Sequence, residues 1–229
     1  ADVGFRTSPV PRSYVETLTL DLTPDENILF DQLRPKTRRD IRAAAKHGLE
    51  VRPVTDAALA PRLDELARET MARTNGPYHP HDWPALIALS MRHPDRARIV
   101  GLFRGAASDA SALLAFSVGY GHGDHGEYNV AASTRAVDVR VPLAYVLLWD
   151  LVVWAKRWGA SWFDFGGVTR SRLGDDDALG GISDFKRYFS KERVSVGEEW
   201  VLEPRPARAG LANVLSAGAA WLSGVRPRA

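Results

Sequence analysis

The residues best placed for chemistry lie late in the chain. Asp164 interrupts the run Trp162-Phe163-Asp164-Phe165, which ends at Gly166-Gly167. Trp and Phe favour strands, so Asp164 is either a surface position of a strand or a carboxylate aimed into a cleft. A loop with Asp175, Asp176, Asp177 and Gly180-Gly181 follows, then Ile182-Ser183-Asp184-Phe185-Lys186-Arg187-Tyr188-Phe189. Ile182, Phe185 and Phe189 fall at helical spacing, with Lys186 beside that face. A lysine next to a buried aromatic can stabilise an anion in a cleft; it can equally be a surface lysine snorkelling over a core phenylalanine. Glu127, Tyr128 and Asn129, polar residues at a predicted strand start, are candidates for a cleft wall.

Two other regions offer cations. Pro35 to Gly48 is the most basic segment and reads as a helix closed by Gly48. Arg38, Arg42 and Lys46 form one stripe on it. Such a stripe holds a polyphosphate or a nucleic-acid backbone, or is simply a solvated face. Arg135 and Arg140 lie in the loop before Pro142, at the positive end of a predicted apolar helix over 143–158. That arrangement suits an anion, with an ordinary loop as the alternative. The aromatic loop from Tyr78 to Trp83 can line a substrate cleft. His79 and His81 lack a ligand set at a recognised spacing, and a glycine-rich hairpin turn accounts for His122, Asp124 and His125, so no metal is expected.

Composition narrows the classes. The chain has 229 residues, a net charge of +2 and no cysteine. Disulfide scaffolds, thiolate metal sites and cysteine nucleophiles are excluded. No apolar run reaches the ~18 residues of a membrane span, and the N-terminus has no signal-peptide core.

The elements that must position these residues follow in order. Tyr14–Leu22 alternates as a strand, and Thr23-Pro24-Asp25-Glu26 reads as a helix start with Thr23 as cap. The basic helix is followed by a strand over 49–54, a helix over 57–74 and a helix over 83–92. Strands are expected over 98–104, 112–121 and 127–133, then the apolar helix, the strand around Asp164, the short helix with Lys186, and a strand or hairpin over 193–203. This is an α+β layout with helices over a mostly antiparallel sheet. Residues 1–13 read as an arm, 14–203 as the main domain and 204–229 as a small-residue helix. That last helix either packs back on the domain or lies against an anionic membrane.

Taken together, four segments resemble the FemABX-like acyltransferases of the GNAT superfamily. They are Arg38-Arg39-Asp40-Ile41-Arg42-Ala43-Ala44 with Lys46 and Gly48; Tyr128 to Ser133 with the proline-led helix carrying Trp154-Ala155-Lys156; Phe163-Asp164-Phe165-Gly166-Gly167; and Ile182 to Phe189 with Phe185-Lys186. The resemblance spans roughly residues 14–203. It implies a GNAT-like fold and amide formation on an amine, by an acyltransferase that can be an aminoacyltransferase. Family members related to cell-wall synthesis move an amino acid from aminoacyl-tRNA to a peptidoglycan precursor. By motif match Lys186 stabilises negative charge, Arg38 and Arg42 hold substrate phosphates, and Asp164 matches the strand aspartate.

Two departures qualify the implication. Peptidoglycan aminoacyltransferases of this kind generally carry two GNAT units, and this chain has room for one. GNAT enzymes using acetyl-CoA bind pyrophosphate on a glycine-rich loop after the fourth strand; here that loop, Arg135 to Val141, has no glycine and three valines. Close backbone approach is obstructed, which favours aminoacyl-tRNA as co-substrate, with no cofactor, over acyl-CoA. The expected chemistry is direct transfer, with Lys186 on the oxyanion and Glu127 or Asp164 taking the proton. Tyr78, Tyr128, Asn129, Arg135, Arg140 and Phe185 complete the candidate substrate site. The acceptor is a peptide, a cell-wall precursor or a natural product carrying an amine. The expected location is the cytoplasm, with the inner face of the membrane as a variant. A CoA-dependent N-acyltransferase and a non-catalytic GNAT-like module binding RNA or a partner are the competing readings.

Overall fold

The structure is a computed structural model, and it describes residues 5–8, 14–74, 76, 78–136, 138–139, 141–169 and 180–202. In chain order its elements are β1 (Phe5–Thr7), β2 (Glu16–Asp21), α1 (Glu26–Gln32), α2 (Pro35–Lys46), β3 (Leu49–Pro53), a 3-10 turn (Ala57–Leu59), α3 (Ala60–Thr74), α4 (Trp83–Arg92), β4 (Ala97–Arg104), β5 (Leu113–His122), β6 (His125–Ser133), α5 (Leu143–Arg157), β7 (Trp162–Val168), α6 (Gly180–Lys186), β8 (Glu192–Ser195) and β9 (Trp200–Leu202). The chain divides into two compact units, 14–195 and a smaller one from 1–13 with 196–229. In the smaller unit β1 pairs antiparallel with β9. The aspartate-rich loop, Arg140 and the helix expected over 204–229 lie outside the described residues.

The larger unit is a seven-stranded sheet in the order β3-β4-β5-β6-β7-β2-β8. Every described pairing is antiparallel except β6 with β7. Side chains alternate across the strands and feed two cores. Val100, Leu102 and Leu114 meet α1, α2 and α5 on one face; Ile99, Phe103 and Phe116 meet α3 and α4 on the other. β5 is buried along Leu113–Val118, as a central strand covered on both faces must be.

Local chemistry accounts for most boundaries. Pro35 opens α2, and Gly48 at φ 67° closes it; the buried stripe is Thr37, Asp40, Ile41 and Ala44. Asp56 and Asp82 cap their helices by accepting from Ala58 and Ala85 N–H. α5 buries Leu147, Leu148, Leu151, Val152 and Ala155. Three details differ from the sequence expectation. Thr23 does not cap α1, because both its N–H and its hydroxyl donate to Asp21. The expected strand over 193–203 is two strands in different sheets, β8 beside β2 and β9 beside β1. Ile182 is exposed, so only Phe185 and Phe189 of its predicted face turn inward.

α5 seats against the β6–β7 junction through Gly126. A Cβ there would lie 2.6 Å from Ala155 Cβ and 2.9 Å from the Phe163 ring. Both neighbours are fully buried, so Gly126→Ala is expected to destabilise the fold by about 1–3 kcal/mol through overpacking. An unchanged urea midpoint for the variant would show that the helix can retreat without cost.

Candidate functional site

β6 and β7 run parallel but stay together only briefly. Their register pairs are His125–Trp162, Gly126–Phe163 and Glu127–Asp164. Beyond these, β6 remains paired to β5 as far as Ser133, and β7 to β2 through Glu16–Val168. The two strands therefore part towards their C-terminal ends and leave a wedge. α5 begins at the open end, because the chain leaves β6 at Ser133 and re-enters a helix at Leu143. Crevices outside the carboxyl ends of parallel strands are the places where such sheets bind ligands.

Lys186 fills the wedge. It is 6% exposed, so the snorkelling alternative is discarded. Its Nζ donates to Gly167 O at 2.8 Å and lies 5.7 Å from the centre of the Tyr128 ring. Gly166 makes the approach feasible. Its φ is 78°, and a Cβ there would sit 3.3 Å from Lys186 Nζ. Burial drives the Lys186 pKa down to about 8, while Asp164 and Glu127 pull it back up. Burial also pushes the Tyr128 hydroxyl up to about 12. Phe185 covers the other side, with Tyr128 and Tyr145 at 6.5 and 5.5 Å between ring centres.

The remaining α6 side chains complete the backbone of β7. Ser183 is fully buried and its Oγ accepts from Thr169 N–H at 3.0 Å. Arg187 donates to Thr169 O and to Asp184 at 2.9 Å. Asp164 does a related task. Its Oδ1 accepts from the Thr17 hydroxyl and from Gly166 N–H at 2.6 Å, at the bulge where β7 slips against β2. Asp164 thus braces the bend that presents Gly167 O. Glu127, its register neighbour, is half-exposed and pairs with His122 Nε2 at 2.9 Å. Asn129 is exposed at a second irregularity, between β5 and β6.

The predicted cations do not converge on this wedge. Arg38 donates to Leu33 O at 2.8 Å and to Asp31 O, closing the end of α1. Arg42 lies over the Phe30 ring at 4.8 Å. Lys46 is exposed in the last turn of α2. Tyr78 belongs to the α3–α4 face, where its hydroxyl meets Asp64 and Arg68 covers its ring at 4.2 Å. Arg135 does stand at the start of the loop between β6 and α5. Its N–H donates to Glu69 at 3.1 Å, and Glu69 also accepts from the Thr134 hydroxyl at 3.1 Å. Ala136 N–H is taken by Thr134 Oγ1 at 3.0 Å. Val139 and Val141 pack on the core. Sequence reasoning missed Thr17, Glu69 and Ser183; all three act on partners distant in the chain, and no local pattern marks them.

With the geometry in hand, the comparisons are specific about fold. Residues 31–187 match the acetyltransferase (GNAT) domain family, and the chain belongs to it. No curated protein matches the chain. Among solved structures, FemX superposes with a TM-score of 0.70 at 14% identity, over 90% of this chain and 67% of FemX. L-PGS from Bacillus licheniformis gives 0.53 at 16% identity, over 87% of this chain and 61% of its own. The C-terminal (DUF2156) domain of an assigned lysylphosphatidylglycerol synthetase from Agrobacterium fabrum gives 0.53 at 14% identity, again over 87% and 61%. This chain therefore spans about three fifths of the last two. The shared fold is a GNAT fold, and the chain is an acyltransferase of that family.

The lysine sets a stability test. Because its folded pKa lies below the ordinary lysine value, keeping Lys186 charged costs stability below about pH 8. The cost, on the order of 3 kcal/mol, is relieved as pH rises from there towards the unfolded value. Lys186→Met is expected to be at least as stable as the parent at pH 7 and to lose that advantage above pH 9, measured by chemical denaturation. A variant advantage that is flat with pH would mean Lys186 is not a desolvated cation.

Proposed function

We propose that this GNAT-family chain transfers an aminoacyl group from aminoacyl-tRNA to an amine, forming an amide on a peptide, a cell-wall precursor or a natural product. The observation that carries the reading is the buried Lys186 ammonium in the wedge. It has three N–H donors, and Gly167 O takes one. The others are available to an oxyanion developing on an ester carbonyl, in a site that excludes water. The amine nitrogen attacks the carbonyl carbon and the C–N bond forms. The tetrahedral oxyanion rests on Lys186, and collapse breaks the C–O bond to the tRNA ribose. The proton shed by the amine passes to Glu127, oriented by His122, and from there to the departing hydroxyl. Asp164 is a positioning residue in this scheme, since Thr17 and Gly166 already occupy its Oδ1.

The loop after β6 supports this donor. Its first two N–H groups are engaged by Glu69 and Thr134, and Val139 and Val141 pack against the core. At Arg135 and Ala136 a pyrophosphate meets a carboxylate and a hydroxyl that already hold the amides, which weighs against CoA. The FemX-like fold, extending over nine tenths of the chain, supports the same donor class. A charged-tRNA donor implies work in the cytoplasm. Among the described residues no helix is long and apolar enough to cross a membrane.

A donor assay tests the reading. Purified chain is mixed with a pool of charged tRNAs, or with acyl-CoAs, and loss of the ester or thioester is followed on adding candidate amines. Charged tRNA is expected to react, and Lys186→Ala to slow the reaction by about 10²–10³-fold. Turnover by acyl-CoA alone would overturn the assignment.

The same assay carries a pH signature. The rate is expected to fall above about pH 8 as Lys186 loses its proton, and Lys186→Arg to remove that alkaline limb even if it is slower overall. An alkaline limb unchanged in the arginine variant would assign the ionisation to another group.

A further inference from the structure

A cavity of about 330 Å³ lies apart from the wedge, on the far side of the turn that follows Lys186. Its walls are the end of β2 with Asp21, the corner between α1 and α2 with Arg34, and the segment from Arg187 to Glu192. The Arg34 guanidinium carbon lies over the Tyr188 ring, 4.9 Å from its centre. It makes no hydrogen bond or ion pair with a described residue, so its rim of N–H donors is unspent. The contact with the ring holds the guanidinium at the cavity wall. The corner itself is rigid, because Arg38 ties Leu33 O and Asp31 O. Lys191 is exposed at the rim, also with no described ion pair.

The other charges around the cavity are largely committed. Arg187 is spent on Asp184 and Thr169 O and adds positive potential to the wall. Asp21 accepts from Thr23 N–H and Oγ–H, both at 2.9 Å, and those bonds hold its carboxyl below the usual range. Lys156 stands behind Asp21 and offsets its charge. Glu192 is exposed on the rim. Hydrogen-bonding capacity left free at Arg34 and Lys191 is therefore that of a donor with positive charge.

We propose that this cavity binds a small anionic group, a phosphate or a carboxylate, through Arg34 and Lys191 against the Tyr188 wall. Nothing in the acyl-transfer reading requires the site. The two are joined physically by the turn: Phe189 and Ser190 N–H both bond Lys186 O, at 3.0 and 3.3 Å.

Inorganic phosphate and glutarate, titrated separately at constant ionic strength, distinguish the two anion sources. Binding is followed by calorimetry and by thermal shift. One of the two is expected to bind saturably to the wild-type chain. Arg34→Gln is expected to weaken it at least tenfold, and Lys191→Gln several-fold; both residues are exposed, and circular dichroism checks that the variants fold. Lys186→Met is expected to leave the affinity unchanged. No saturable binding of either anion would overturn the proposal, as would wild-type affinity in Arg34→Gln or loss of binding in Lys186→Met alone.

Discussion

The parting of β6 from β7 is the constraint on which the rest of the molecule depends. Three register pairs hold two parallel strands in an otherwise antiparallel sheet, and then each strand is claimed by its other neighbour. Backbone groups facing the gap cannot remain buried and unpaired. α6 resolves the problem with side chains: Ser183 takes Thr169 N–H, Arg187 reaches Thr169 O, and Lys186 reaches Gly167 O. A lysine drawn in to satisfy a carbonyl is a lysine stripped of water, which is why its pKa falls. Structure and reactivity share one cause here. The cation sits in the wedge because the sheet is incomplete there.

The two carboxylates of the site show how register alone leaves function undecided. Glu127 and Asp164 are direct neighbours across β6 and β7. Asp164 faces the bulge with β2 and is used up by Thr17 and Gly166, so it sets geometry. Glu127 is next to a hairpin turn, keeps partial exposure and pairs with an exposed histidine. One Asp164 oxygen is already engaged by two donors, whereas Glu127 keeps partial exposure beside the site. The proposed roles follow from those surroundings.

Much of the fold was legible because it is written in short-range patterns. The apolar stripe of α5, the closure of α2 by Gly48 and the alternation of β2 each reflect neighbours a few residues apart. The family resemblance led to the GNAT fold for a similar reason, since its four segments are local. What was illegible depends on long-range pairing. Thr17 meets Asp164 across 147 residues, and Glu69 meets Arg135 across 66. Lys186 was visible as a candidate, yet its burial depends on where β7 leaves β6, which no window of sequence encodes. The basic stripe illustrates the opposite failure. Arg38 has the spacing of a phosphate ligand, but its donors close the end of α1, and Arg34, outside the stripe, keeps its own free among the described residues.

The loop after β6 shows how a helix start can be shaped from a distance. A helix-start loop binds pyrophosphate when its N–H groups point outward and nothing negative is near. Here α3 approaches the end of β6 and locks it: Thr70 and Arg73 both donate to Ser133 O, and the Thr70 hydroxyl accepts from Ser133 N–H. That clamp brings Glu69 onto Arg135 N–H. A diphosphate entering the loop must displace a carboxylate held by a helix that is itself pinned to the strand, and must do so against like charge. Burial holds the Arg73 guanidinium below its usual range, the nearby Arg135 charge adds to that, and Glu69 opposes it. Positive charge thus remains in the Arg73 and Arg135 side chains while the N–H groups of Arg135 and Ala136 are engaged. A flexible polyanion that approaches guanidinium groups from outside meets that charge without entering the loop, whereas a ligand that needs the amides themselves does not.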